Sequence, residues 1–299
     1  MFYENWMSCL KDEAKLRDAV IPGSHNAGTY EMIPFARCQD GSLYEQYKHG
    51  VRYFDTRFHM GFGGKLVFEH GIMGGTAFEE GLKDIRRMLE NNSSEFMIFA
   101  LHYPKEEYLI GKIGRKYKQN FDYVNEMFEK YIEPSKYALT DFDDITEVTL
   151  KDIRKSGKRY LLNWDNEGIN GAVNAPVFAP WCTERHGMHV DGFFDTTLGF
   201  FDEVPEKALF CYQTQRTPGV GTEEGLKNPI TLERDVKMNF FRLTDRIADN
   251  PDLLKKVNII SGDFMTDSHA KINQILKLNL KKGNIAPECE KEFYEKVKV

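Results

Sequence analysis

The stretch Ala19-Val20-Ile21-Pro22-Gly23-Ser24-His25-Asn26-Ala27-Gly28-Thr29 constrains this chain most, because an apolar run stops there on Pro and Gly and delivers a histidine to its end. Pro22 and Gly23 forbid a helix and suit a strand leaving a sheet. His25 is therefore expected on a short loop at the carboxyl end of a strand, the end that carries the active site in a (β/α)8 barrel. The arrangement recurs after the turn Gly61-Phe62-Gly63-Gly64, where Lys65-Leu66-Val67-Phe68-Glu69 reads as a strand ending in His70-Gly71.

Between these two histidines, residues 43–49 read as a short amphipathic helix ended by Gly50. Residues 51–58 read as a strand whose period of two sets Arg52, Phe54, Thr56 and Phe58 on one side and Tyr53, Asp55 and Arg57 on the other. Apolar positions Phe78, Leu82, Ile85, Met88 and Leu89 have helical spacing, and 96–101 is a continuous apolar run, so a helix leads into a strand buried on both faces. Helices are expected near 121–132 and 149–155, then a strand at 159–164. A strand at 208–213, a helix at 232–248, a strand at 257–263 and a helix at 268–281 follow. Residues 165–205, rich in Gly, Asn, Pro and aromatics, carry no clear element. Seven or eight strands alternating with helices, with no Pro/Ser-rich linker and no repeat, predict an α/β fold of one barrel-like domain over 1–299. A doubly wound sheet is the alternative, and no G-x-G-x-x-G or Walker loop supports it.

Composition narrows the function. A net charge of -6 gives no general basic field, which argues against nucleic-acid binding. No apolar run approaches the roughly 20 residues of a membrane span. The five cysteines, Cys9, Cys38, Cys182, Cys211 and Cys289, are odd in number and scattered, so free thiols in a reducing compartment are expected. No signal peptide is visible at the N-terminus, so a cytoplasmic protein or a trimmed secreted one is expected. Cys182, His186 and His189 lie close in sequence but have no second ligand group at a zinc spacing. That segment is expected to be a loop over the barrel mouth, with Trp181, Phe193, Phe194, Phe200 and Phe201 packing beneath it or touching lipid.

The chemistry gathers at strand ends: His25 after the first strand, Asp55 and Arg57 on the second, His70 after the third and Asp263 after the last. In a closed barrel the first and last strands are neighbours, so Asp263 can orient His25. Two histidines, an arginine and a carboxylate suit in-line attack on a phosphodiester, which needs a base, an acid and a fixed cation for charge on the phosphoryl oxygens. His49, His59 and His269 lack such a setting and are read as exposed or structural.

Ile21-Pro22-Gly23-Ser24-His25-Asn26-Ala27-Gly28-Thr29, Gly50-Val51-Arg52-Tyr53-Phe54-Asp55-Thr56-Arg57 and Glu69-His70-Gly71 resemble the X-region motifs of the phosphatidylinositol-specific phospholipases C, in the bacterial form. The resemblance implies a single distorted (β/α)8 TIM-type barrel that cleaves phosphatidylinositol-like lipids to diacylglycerol and a cyclic inositol phosphate. It implies that His25 takes the inositol 2-hydroxyl proton, His70 protonates the diacylglycerol oxygen, Arg57 stabilises the phosphoryl charge and Asp263 holds the His25 tautomer. Asn26 departs from the Asp usual in the bacterial enzymes and matches the calcium-dependent eukaryotic branch. Arg57 stands where that branch has a carboxylate, so no cofactor and no calcium are expected. Headgroup positions also depart: His102 and Lys105 follow Ala100-Leu101, and Asn163, Trp164 and Asp165 follow Leu161-Leu162. With Gln213 they are candidates to line the pocket, Trp164 as a stacking wall for the sugar ring. The expected partner is a phosphatidylinositol-like lipid or inositol phosphodiester, with transient membrane contact, in a monomer. The competing readings are a metal-dependent glycerophosphodiester or sphingomyelinase D-like phosphodiesterase and an inactive barrel that binds a headgroup or glycan.

Overall fold

The computed structural model describes residues 2–71, 73–91, 93–103, 119–182, 189–217 and 227–298. Its strands are β1 (Ile21–Ser24), β2 (Tyr53–Met60), β3 (Leu66–His70), β4 (Met73–Ala77), β5 (Met97–His102), β6 (Tyr160–Asn163), β7 (Ala172–Val173), β8 (Val177–Phe178), β9 (Leu209–Gln213) and β10 (Ile259–Gly262). Helices α1 (Leu43–Lys48), α2 (Phe78–Leu89), α3 (Phe121–Ile132), α4 (Pro134–Tyr137) and α5 (Leu150–Ser156) alternate with the first strands. Then come α6 (Val190–Leu198), α7 (Pro229–Asp249), α8 (Pro251–Lys256), α9 (His269–Lys281) and α10 (Glu290–Val297).

Eight strands form one curled parallel sheet in the order β7-β6-β5-β2-β1-β10-β9-β8, so the first strand lies beside the last. Among the described residues β7 and β8 pair with β6 and β9 but not with each other, and the result is a distorted barrel left open on that side. The cause lies in chain length. A parallel neighbour needs a crossover of a dozen or more residues, whereas only residues 174–176 separate β7 from β8. The chain therefore passes across the gap in one direction, holding β6 with its first half and β9 with its second.

The expectation that 65–69 is a third barrel strand is corrected. β3 runs antiparallel to β2, with Phe58 opposite Phe68 and Met60 opposite Leu66, and β4 adds to its other edge. The glycine-rich turn between β2 and β3 is too short for a crossover, and Gly63 and Gly64 both take positive φ (76° and 73°), so the chain reverses into a hairpin. This arm folds back over the His25 loop. Gly28 makes the approach possible, because a Cβ there would sit 2.0 Å from the Phe68 ring.

At the amino ends of the strands, Arg52 is wholly buried just before β2. Its Nε donates to Glu95 Oε2 at 2.8 Å, its Nη1 to the carbonyls of Tyr47 and Val51, and its Nη2 to that of Glu4. The guanidinium lies 3.9 Å from the centre of the Tyr47 ring. Every face of the charge is thus compensated, the condition under which a buried ion pair is tolerated. Removing one partner leaves the other charge buried alone. Glu95→Ala is expected to lower unfolding stability by about 3–5 kcal/mol in urea denaturation, and a change below about 1 kcal/mol would contradict this account of the barrel base.

Candidate active site

The register of β1 on β10, with Ser24 opposite Gly262, sets the next residue of each strand side by side. These are His25 and Asp263. His25 N–H donates to Gly262 O at 3.1 Å, and Gln39 Nε2 clamps both strands by donating to His25 O (2.8 Å) and Gly262 O (3.0 Å). Held this way, His25 Nδ1 lies 2.8 Å from Asp263 Oδ1, while Asn26 Nδ2 lies 3.0 Å from His25 Nε2. A carboxylate can only accept and an amide nitrogen only donate, so the two contacts together assign a neutral ring with its proton on Nδ1. Asn26 itself has φ 46°, the left-handed region that asparagine tolerates better than most residues. Beneath Asp263, the buried Lys271 Nζ donates to its backbone carbonyl and to Glu233 Oε1. Burial pushes the Glu233 carboxyl up to about 7, against the pull of Lys271.

His70 arrives from the hairpin arm. Its Nδ1 donates to Ala36 O at 2.7 Å, which leaves Nε2 for a ligand. The rings of His25 and His70 stand edge to face with centroids 6.4 Å apart. Burial lowers the His70 pKa from its ordinary value, the Ala36 hydrogen bond opposes the shift, and the neighbouring His25 adds to it.

On β2, Asp55 and Arg57 share a face as period two requires, and Arg57 Nη2 lies 3.2 Å from Asp55 Oδ2. Asp55 also accepts from Asn26 N–H at 3.2 Å and has His102 Nε2 3.2 Å from its Oδ1. Burial would raise the Asp55 pKa, but the charge of Arg57 and the hydrogen bond from His102 hold it well below the usual carboxylate range. These groups open onto a cavity of about 380 Å³ lined by His25, Asn26, Asp55, Arg57, His70 and His102, with Tyr53, Trp181, Cys211, Gln213 and Ser261 among its walls.

No family model matches the chain. The 1-phosphatidylinositol phosphodiesterase of Listeria monocytogenes serovar 1/2a is 30% identical over 184 residues, which is 58% of this chain and 53% of that relative. The enzyme of the same name from Staphylococcus aureus strain Newman is 36% identical over 75 residues, 23% of this chain and 24% of its own. The chain thus matches about half the length of the first relative and about a quarter of the second. The solved phosphatidylinositol-specific phospholipase C from L. monocytogenes superposes with a TM-score of 0.66 at 21% identity, covering 93% of this chain and 98% of that one. One from S. aureus gives 0.61 at 17% identity, covering 88% and 91%. The chain is thus similar in part of its sequence to bacterial 1-phosphatidylinositol phosphodiesterases, and it shares the fold of the solved bacterial phosphatidylinositol-specific phospholipases C.

Within this barrel, the structure brings together all six residues proposed from the strand ends and motifs: His25, Asn26, Asp55, Arg57, His70 and Asp263. Of the pocket candidates, His102 and Gln213 line the cavity. Gln213 is tied to the rim, its Nε2 donating to Ala179 O and Pro180 O at 3.0 and 3.1 Å. Asn163, Trp164 and Asp165 do not line it. β6 ends at Asn163, whose Oδ1 accepts from Ala175 N–H and so braces the strand that crosses the gap. Trp164 turns into the core and donates to Glu167 O, and Asp165 lies exposed beside Asn166. The aromatic wall is Trp181 instead, 54% exposed at the cavity mouth. Phe193, Phe194 and Phe201 pack in the core, as one of the two readings of that segment expected. Lys105 lies outside the described residues, as do 183–188 with His186.

Sequence reasoning passed over Tyr53, Cys211 and Ser261, which line the cavity, and Cys38 and Gln39, which lie just behind it. For Tyr53 the signal existed, since it shares the strand face of Asp55 and Arg57. His59, read as structural, pairs with Glu69 at 2.8 Å across the hairpin, and His49 and His269 stack on each other.

Because the folded His70 holds its proton less tightly than an unfolded histidine, its ring is expected to titrate below 6.5 in the free protein, followed by nuclear magnetic resonance. By linkage its contribution to stability is complete above 6.5 and is lost as pH falls from there through the lower folded value. A midpoint at or above 6.5 would contradict the burial argument.

Proposed function

We propose that this chain cleaves phosphatidylinositol-like lipids or inositol phosphodiesters by attack of the inositol 2-hydroxyl on phosphorus, releasing diacylglycerol and a cyclic inositol phosphate. The observation that carries the reading is the pair of imidazoles facing one cavity with different second partners. His25 is backed by the Asp263 carboxylate, and His70 is held by the Ala36 carbonyl. A carboxylate on Nδ1 stabilises the imidazolium that forms when Nε2 takes a proton, which suits His25 to the base. In the free protein Asn26 Nδ2 covers that nitrogen, so the substrate hydroxyl replaces the Asn26 amide there. His70, its Nδ1 proton fixed on Ala36 O, delivers a proton from Nε2 to the departing diacylglycerol oxygen. Its lowered pKa makes the protonated ring a stronger acid, and an anionic phosphodiester beside it favours that form.

Arg57 is the fixed cation for the charge that grows on the phosphoryl oxygens. Asp55 spends its lone pairs on Arg57, His102 and the Asn26 N–H, and so acts by positioning rather than by moving a proton. The same arrangement favours chemistry without calcium, because the carboxylate that a hard cation would need at this mouth is already neutralised by a guanidinium. It also counts against the metal-dependent phosphodiesterase reading, which requires paired free carboxylates. Substrate contact with a lipid surface is supported by Ile33 and Phe35, 53% and 69% exposed on the loop whose Ala36 carbonyl holds His70, together with Trp181.

Turnover of phosphatidylinositol vesicles and of a soluble inositol phosphodiester tests this reading. His25→Ala and His70→Ala are each expected to lower kcat by about 10³ on both substrates. Activity is expected to survive excess chelator, and Phe35→Ser to slow the vesicle reaction alone. Near-full activity in either histidine variant removes that residue from the mechanism, and calcium-dependent turnover overturns the role given to Arg57.

A further inference from the structure

Cys38 lies among these groups and has no part in the reaction proposed above. Its Sγ is 3.7 Å from Asn26 Nδ2 and 3.8 Å from His70 Nδ1. Cys38 Sγ, a ring nitrogen of His25 and a carboxylate oxygen of Asp263 lie within 4.8 Å of one another, and all three residues are buried. Beside them, on a side chain only 1% exposed, Asn26 Oδ1 has no hydrogen-bond partner. Tetrahedral bonds of about 2.0–2.3 Å to N, O and S set ligand atoms roughly 3–4 Å apart, so a small movement brings these atoms onto one centre.

We propose that His25, Cys38 and Asp263 form an inhibitory site for a thiophilic divalent cation of the zinc class, which shuts the active site by taking the base and its carboxylate as ligands. The ligand set selects the ion: one sulfur, one imidazole nitrogen and one carboxylate oxygen suit zinc or cobalt, whereas calcium and magnesium need mostly oxygen. Charge selects it as well, since a thiolate and a carboxylate together neutralise two positive charges in a buried place. On binding, the Cys38 S–H bond breaks, the sulfur–metal bond forms and the proton leaves to solvent. The imidazole binds as a neutral ring through one nitrogen and keeps its single proton on the other, so it no longer accepts the substrate proton. The Asn26 amide, which now separates His25 Nε2 from Cys38 Sγ, is displaced, and its unpartnered Oδ1 is free to turn toward the ion as a fourth ligand.

The inhibition rests on the functional reading above; the binding does not. Cobalt titrated into the whole protein is expected to give a thiolate-to-cobalt charge-transfer band in the near ultraviolet, bleached by added zinc and absent in Cys38→Ser. Zinc is expected to inhibit inositol phosphodiester cleavage reversibly with respect to chelator, and at least about tenfold more weakly in Cys38→Ser and Cys38→Ala. No band, or a band that persists without Cys38, overturns the site, as does equal zinc inhibition of all three proteins. Should either variant fail to fold, a zinc-dependent shift of the His25 ring-nitrogen resonances of the unmodified protein reads the same site, and resonances that zinc leaves unshifted overturn it. A protein inert toward inositol phosphodiesters would sink the functional reading, and the cobalt band would still decide this one.

Discussion

The pairing of the first strand with the last is the contact on which the site depends. His25 and Asp263 are 238 residues apart in sequence and become neighbours only because β1 lies against β10 in the register Ser24 to Gly262. Loop-closure entropy grows only slowly with length, so bringing the two ends together costs little more than joining strands half as far apart. The closure is reinforced where it matters. Gln39 donates to a carbonyl on each strand and accepts from Met265 N–H, which ties the loop after β10 to the loop after β1.

A second constraint follows from the low dielectric of the mouth. Two imidazoles, two carboxylates and a guanidinium within a few ångströms are tolerable only if each charge is matched. The charge of Asp55 is matched by Arg57, that of Asp263 is met by the Nδ1 hydrogen bond of the neutral His25, and the bound substrate of the proposed mechanism adds an anion beside the remaining guanidinium donors. The cation is thus part of the chain rather than a recruited ion, fixed before the substrate arrives, which is what makes electrostatic stabilisation effective.

Much of this was legible in the sequence. Pro22-Gly23 placed His25 at a strand end, period two placed Asp55 with Arg57, and the α/β alternation gave the barrel, from which the nearness of Asp263 to His25 followed. Two things were hidden. The hairpin was taken for a barrel strand because β3 has the composition of one; only the length of the turn separates a reversal from a crossover. The open side was hidden because β7 and β8 are two residues each, too short to leave a period. With that segment unplaced, the outward turn after Asn163 was unforeseen, and Trp164 was given the place that Trp181 holds. Cys38 and Gln39 lie in a loop without periodicity, where residue type alone does not reveal contact with a strand end.

The account turns on an intramolecular nucleophile, the hydroxyl next to the phosphate on the inositol ring, activated by His25. Phosphorus nuclear magnetic resonance of the first product formed from phosphatidylinositol reads this most directly, because a five-membered cyclic phosphodiester has a shift distinct from that of an acyclic monoester. The account predicts that the cyclic signal appears first, with any monoester growing only at its expense. A monoester formed from the outset, with no cyclic precursor, would mean that water is the nucleophile and would contradict the role assigned to His25.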